Sequence, residues 1–342
     1  MAVKRKVKIA VLAVVITVSV IFAAVGVFLI VAYSGCALNE DDFIRRADGF
    51  YVDKNKLYDA NGNEFVMRGI NFPHAWFTQY DETSLDGIQK TGANCVRVVC
   101  SSGVKYTKDT VASVAAVIEA CKERKLVSIF EAHDVTGSNE PEELLSVVDF
   151  WIEIKSAFIG QEKYCILNIA NEWMSSVDDN KWKSTYVEAL KRLRNAGIKN
   201  TVMIDASGYG QYGGSIAKCG ADVFRADELR NTVFSVHMYQ VAGSSPSVVR
   251  LNLKRARKNN LCVVVGEFGY KGVDEEYVMR YCVENGIGYL GWSWKGNGHG
   301  VEYLDIAEDW AGETLSKDWG EPLVNGQYGI KRTSAICSVF QE

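Results

Sequence analysis

The feature that most constrains this chain is a rhythm. Short, nearly continuous apolar runs recur eight times with amphipathic stretches between them. The runs are Phe65–Ile70, Cys95–Val99, Val127–Phe130, Cys165–Ile169, Thr201–Ile204, Val233–Val236, Cys262–Val265 and Gly288–Gly291. Strands that are apolar on both sides are buried on both faces, and such strands alternating with helices build a parallel sheet. Val111, Val114, Ile118 and Cys121 recur at helical spacing in one intervening stretch. Leu190 and Leu193 do so in another, with Lys191 and Arg192 turned outward. Eight such units over about 280 residues predict an α/β fold of the (β/α)8, or TIM, barrel type. A doubly wound open sheet is the structural alternative. A small hairpin over Phe50–Val52 and Lys56–Tyr58 precedes the first unit, and a helix near Arg332–Phe340 follows the last.

The N-terminus reads differently. Lys4, Arg5, Lys6 and Lys8 form a basic cluster, and Ile9 to Tyr33 carries no charge. As a helix that run is roughly 37 Å long, against a hydrocarbon core of about 30 Å. It predicts a transmembrane or signal-anchor helix with the basic cluster inside and the body outside. A cleaved signal and lipidation at Cys36 are the alternatives, and each also exports the body. The expected division is therefore a basic stub and anchor over 1–36, a linker over 37–49 and one barrel domain over 50–342. The four N-terminal cations leave 34 basic residues, from 38, against 42 acidic ones, so the body carries about −8. An acidic body argues against nucleic acid as a partner. The nine cysteines include no CxxC pair and read as buried thiols rather than as a zinc site or a disulfide framework.

Polar residues gather at one end of the predicted strands. All four histidines, His74, His133, His237 and His299, fall just after a strand-like run. So do two carboxylates, in Asn171-Glu172-Trp173 after the fourth run and Gly266-Glu267-Phe268-Gly269 after the seventh. In a barrel that end is where sites are built. A Glu closing an apolar strand must find a partner or face a cleft. Two facing one another across the mouth supply what cleavage of a glycosidic bond needs, a proton donor and a nucleophile or base. Trp76, Trp173, Trp292 and Trp294 also sit at strand ends, and indole faces suit the C–H faces of sugar rings.

These segments together resemble glycoside hydrolase family 5, and within it the bacterial endo-β-1,4-mannanases. The resemblance runs from about Leu57 to Phe340 and is carried by several motifs: Arg68-Gly69-Ile70-Asn71 with Pro73-His74-Ala75-Trp76, Asn94 to Val99, Glu131-Ala132-His133-Asp134, Asn171-Glu172, Val236-His237-Met238-Tyr239, Gly266 to Gly269, and Gly291-Trp292-Ser293-Trp294 with Val301 to Asp305. It departs at Trp173, where Pro is frequent, and at Tyr209, where mannanases often show Trp. The resemblance implies a retaining enzyme with Glu267 as nucleophile and Glu172 as acid/base, their carboxyls about 5–5.5 Å apart and the higher pKa on Glu172. It implies that Arg97 and Tyr239 hold Glu267, that Asn171 bonds the sugar 2-hydroxyl, and that His237 and His133 orient the acid/base and the −1 sugar. Trp292 would be the −1 platform, with Trp294, Trp76, His74 and Trp173 in neighbouring subsites. No metal or organic cofactor is implied. The expected partner is β-mannan or a related plant polysaccharide, and the expected state is a monomer at the extracellular face.

Three readings compete. A β-1,4-glucanase of the same family differs only in substrate. A non-catalytic, membrane-tethered carbohydrate-binding protein would use the same cleft without the chemistry. Gly208-Tyr209-Gly210-Gln211-Tyr212-Gly213 fits GxGxxG, which as a dinucleotide fingerprint would predict an oxidoreductase. It follows the fifth run instead of opening a βαβ half, and so reads better as a loop that needs backbone freedom.

Overall fold

The computed structural model describes residues 38–43 and 48–341. The expected membrane segment 9–33 and Cys36 lie outside the described residues. Among the described residues no helix is long and apolar enough to cross a membrane.

Eight parallel strands close into a (β/α)8 barrel. They are β1 Arg68–Phe72, β2 Cys95–Cys100, β3 Val127–Ala132, β4 Cys165–Asn168, β5 Thr201–Asp205, β6 Thr232–Met238, β7 Val263–Phe268 and β8 Gly288–Gly291. Each pairs with its sequence neighbours, and β8 returns to β1 with Leu290 opposite Gly69. Every strand residue is buried, which explains the unbroken apolar runs. The outer helices begin where capping chemistry allows. Thr110 and Ser113 form a reciprocal capping box ahead of Val111–Glu123, and Asp178 caps Asp179–Asn195 through the Lys181 N–H. Pro141 and Pro246 open Pro141–Glu153 and Pro246–Ala256, where a missing N–H costs nothing. The Asp179–Asn195 helix turns Trp182, Tyr186, Leu190 and Leu193 onto the barrel, in the phase read from the sequence.

The hairpin pairs Tyr51–Asp53 with Lys56–Tyr58. The Phe50 carbonyl beside it accepts from Thr201 and Asn231 at the N-terminal ends of β5 and β6, so this segment covers the barrel floor. Two expectations shift. β1 lies two to three residues later than read, because Asn71 and Phe72 pair with Arg97 and Val98 while Phe65 to Met67 precede the ladder. The C-terminal helix is only Ile330–Thr333 followed by a 3-10 turn at Ser338–Phe340. Between them the chain extends, and the Ala335 carbonyl accepts from Asn94 while Asp59 accepts from Ser338. Those long-range bonds replace the helical ladder. The eight described cysteines are all buried free thiols.

Candidate active site

The polar residues that end the strands converge at the C-terminal mouth. Arg97 is the hub. It sits in mid-β2, wholly buried, and its guanidinium fans across the barrel. Nε donates to Asn168 at 2.8 Å. Nη1 donates to Asn71 at 3.0 Å and to Glu267 Oε1 at 2.7 Å. Nη2 donates to Asn171 at 2.9 Å and lies 3.5 Å from Asp205. Burial works against its charge, but Glu131, Glu267 and Asp205 outweigh burial and hold it protonated.

Glu267 reaches this hub through a slip in the sheet. Along β6 and β7 Val236 stands opposite Val265, but His237 stands opposite Glu267. Gly266 is skipped. The slip turns the Glu267 side chain to the same inner face as His237, as bulges beside active sites do. The Tyr239 hydroxyl donates to Glu267 Oε2 at 2.8 Å, so both carboxylate oxygens are held. Burial pushes the Glu267 carboxyl above its ordinary range and the charge of Glu172 adds to this, against the pull of His237 and Arg97.

Glu172 follows β4 at φ 46°, in left-handed backbone. Its N–H donates to Asp205 Oδ2 at 2.9 Å, and its Oε1 lies 2.8 Å from His237 Nδ1. Burial would lower the His237 imidazole, yet Glu267, Asp205 and Glu172 outweigh it and hold the value up at about 9. Carboxylate oxygens of Glu172 and Glu267 lie within 4.8 Å of one another. His133 Nδ1 is 2.9 Å from Glu131, whose charge outweighs burial and raises the imidazole. Asn171 Nδ2 donates to Thr136 at 3.0 Å and lies 3.5 Å from His133 Nε2.

A cleft of about 340 Å³ opens over these groups, lined by His133, Asn171, Glu172, Tyr209, Gln211, Tyr239, Glu267 and Trp292. Trp292 lies nearly parallel to His133, centroids 5.7 Å apart. Trp76 stands edge-on to both, at 5.0 Å from His133 and 6.3 Å from Trp292, on the rim. Three expected subsite residues lie elsewhere. Trp294 is fully buried, with its indole N–H on the Trp310 carbonyl and its ring against Gly87 and Gly312. Trp173 is fully buried, donates to the Glu140 carbonyl and packs edge-on against Tyr186. His74 is clamped between Asp81 at 2.7 Å and Asp109 at 3.1 Å. Both tryptophans lie beyond the ends of their strands, where the strand's alternation no longer sets which way a side chain faces. His299 is exposed.

The sequence reading missed Gln211, Asn71, Asn168 and Asp205. Gln211 lies in the GxGxxG loop, whose Gly208 and Gly210 take φ values of 64° and 70°. A Cβ on Gly210 would come within 2.6 Å of His237 Cγ, so the glycine lets the loop close on that imidazole. Among the described residues Glu172, His237 and Glu267 form the one carboxylate–imidazole group compact enough for a cation. The donor set does not fit one. Arg97 and Tyr239 already occupy both Glu267 oxygens, and the guanidinium supplies positive charge there.

Comparison with known proteins agrees with this geometry. Residues 58–298 match the family described as cellulase (glycosyl hydrolase family 5). A mannan endo-1,4-beta-mannosidase of Salipaludibacillus agaradhaerens is 46% identical over 298 residues, covering 86% of this chain and 96% of that one. One from Cellvibrio japonicus (strain Ueda107) is 40% identical over 300 residues, 85% of this chain and 69% of its own. The beta-mannanase of Thermomonospora fusca, solved as a mannohexaose complex, superposes with a TM-score of 0.81 at 39% identity, covering 85% of this chain and 99% of that one. With its barrel closed, its carboxylates paired at the mouth and its sequence matched over most of its length, the chain belongs to glycoside hydrolase family 5.

Proposed function

We propose that the protein is a retaining endo-β-1,4-mannanase, with Glu267 as nucleophile and Glu172 as acid/base. The carboxylate pair carries this reading. Oxygens within 4.8 Å of one another suit direct attack on the anomeric carbon, since an inverting pair needs about 6.5–9.5 Å to admit water. In the first step a Glu267 oxygen bonds C1 as the C1–O bond breaks, and the Glu172 proton goes to the leaving oxygen. In the second, Glu172 takes a proton from water, which attacks C1 and frees Glu267. Arg97 favours the ionised form of Glu267 against its burial, and with Tyr239 it aims the carboxylate. Trp292 offers a flat apolar face beside His133 and Asn171, which present polar groups to the hydroxyls of the same sugar.

The mannan assignment is supported by the identity to two mannan endo-1,4-beta-mannosidases and by a neighbour solved with mannohexaose. The test is product release from unsubstituted β-1,4-mannan and from cellulose in parallel, with the anomer followed by NMR. Mannan oligosaccharides of retained β configuration, with cellulose intact, are expected. Cleavage of cellulose alone would move the substrate to glucan, and binding without release would favour the carbohydrate-binding alternative.

The body is proposed to act outside the membrane, held there by residues 9–33. The basic cluster ahead of an uncharged run of spanning length supports this. Fractionation of cells expressing the full chain tests it: membrane-bound activity released by external protease is expected, and activity in the cytosol would refute it.

A further inference from the structure

Asp205 ends β5 and is wholly buried. Its Oδ1 accepts from Asn168 Nδ2 at 3.3 Å. Its Oδ2 faces three groups. It accepts the Glu172 main-chain N–H at 2.9 Å, and it lies 3.4 Å from His237 Nε2 and 3.5 Å from Arg97 Nη2. Two of these lead to one place. Glu172 stands in left-handed backbone, which a non-glycine residue keeps only where its surroundings fix it. The bond to Asp205 is such a fix. The Glu172 side chain is held by His237 Nδ1, and the other nitrogen of that ring faces Asp205.

We propose that Asp205 is the positioning residue of the acid/base: it anchors Glu172 at the main chain directly, and at the carboxyl through the tautomer of His237. The inference rests on the assignment of Glu172 above. The charged groups around the imidazole are Glu172 after β4, Asp205 on β5 and Glu267 on β7, with Arg97 beyond Asp205. Glu172 and Glu267 change charge during turnover. Asp205 does not. Nε2 makes no hydrogen bond, but the fixed anion 3.4 Å away favours a proton on that nitrogen by its charge, which leaves Nδ1 free to follow Glu172. When Glu172 is protonated, neutral Nδ1 accepts from it. When Glu172 is a carboxylate, protonated Nδ1 donates to it. Gly210, pressed on the opposite ring edge, leaves the imidazole no room to turn away.

The test uses Asp205→Asn in the full-length protein, beside Glu172→Ala, on mannohexaose and on a 2,4-dinitrophenyl β-mannobioside. The natural leaving group needs a proton and the dinitrophenolate does not. Asp205→Asn is expected to lower kcat on mannohexaose about 10²-fold with KM little changed. It should leave kcat/KM on the aryl substrate within about threefold of wild type. Equal losses on both substrates would mark a general structural defect and overturn the proposal. If Glu172→Ala also lost both equally, the acid/base assignment itself would fall. Should the variant not fold, the ¹⁵N spectrum of His237 in the wild-type protein decides. A proton on Nε2 across about pH 5–9 is expected, and a neutral ring carrying its proton on Nδ1 would refute the role.

Discussion

At the scale of single residues, the site depends on one cation serving several acceptors. Arg97 donates to Asn71, Asn168, Asn171 and Glu267, which stand at the ends of three strands, β1, β4 and β7. Only a planar fork with five N–H groups can do this from one position. Lysine keeps the charge but reaches one or two acceptors and leaves the rest buried and unpaired. Arg97→Lys is expected to cost about 3–5 kcal/mol of stability and to remove most turnover. Denaturant unfolding with an activity assay checks both, and a variant that keeps its stability would show the hub to be dispensable. Glu267 was legible in the sequence because it closes an apolar run, and Arg97 through the family resemblance of the second strand. Asn71, Asn168 and Asp205 were not. A single polar residue at a strand end looks the same whether it caps a helix or faces the barrel axis, and only closure of the barrel distinguishes the two.

At the scale of elements, the decisive local event is the slip between β6 and β7. The apolar run Cys262–Val265 announced the strand, yet nothing in it announced that Gly266 would be skipped. Register is a property of the pair, and a one-residue shift turns every later side chain to the other face. Gly266 is the residue that permits it. A Cβ there would collide with Ser235 Oγ and sit 3.3 Å from His237 Nε2. The hydroxyl can rotate, but the imidazole is held. Gly266→Ala is therefore expected to cost about 1–3 kcal/mol through overpacking and to lower kcat on mannan at least about tenfold by displacing His237 from Glu172. A crystal structure of the variant with His237 unmoved, together with full turnover, would show that the slip does not need glycine. The strands also run further than their apolar cores. Glu131, Asp205, His237 and Glu267 all lie within the ladder, where His133, Asn168, Glu172 and Arg97 give each of them a hydrogen bond.

At the scale of the whole molecule, the eightfold rhythm was legible because burial on both faces of a parallel strand leaves a run that few other folds require. The three side chains that proved not to line the cleft show what such a rhythm cannot carry. It places a residue near the mouth without saying which way it points, and Trp294, Trp173 and His74 are all near the mouth and turned into the protein. His74 has a consequence for the stability of the entire fold. It follows β1, Asp81 opens the next helix, and Asp109 belongs to the connection after β2, so one imidazole ties together the first two βα units. Burial would depress it, but the hydrogen bonds and charges of Asp109 and Asp81 outweigh that and hold it up at about 9. In return, burial works to raise Asp109, and His74 holds it below its ordinary value. Because the folded value exceeds the unfolded one of about 6.5, the stabilisation is complete below about pH 6.5 and is lost as pH climbs through about 9. The loss should be on the order of 3 kcal/mol. His237 shifts in the same direction, so the His74 share is read as a difference. His74→Gln should be less stable than wild type at pH 6.5, since it leaves the buried Asp109 and the half-buried Asp81 without a cation, and the gap should narrow by pH 9.5. Calorimetric unfolding of both proteins across that range measures it. Curves that stay parallel would mean that His74 is uncharged in the fold and that the two aspartates are held by hydrogen bonds alone.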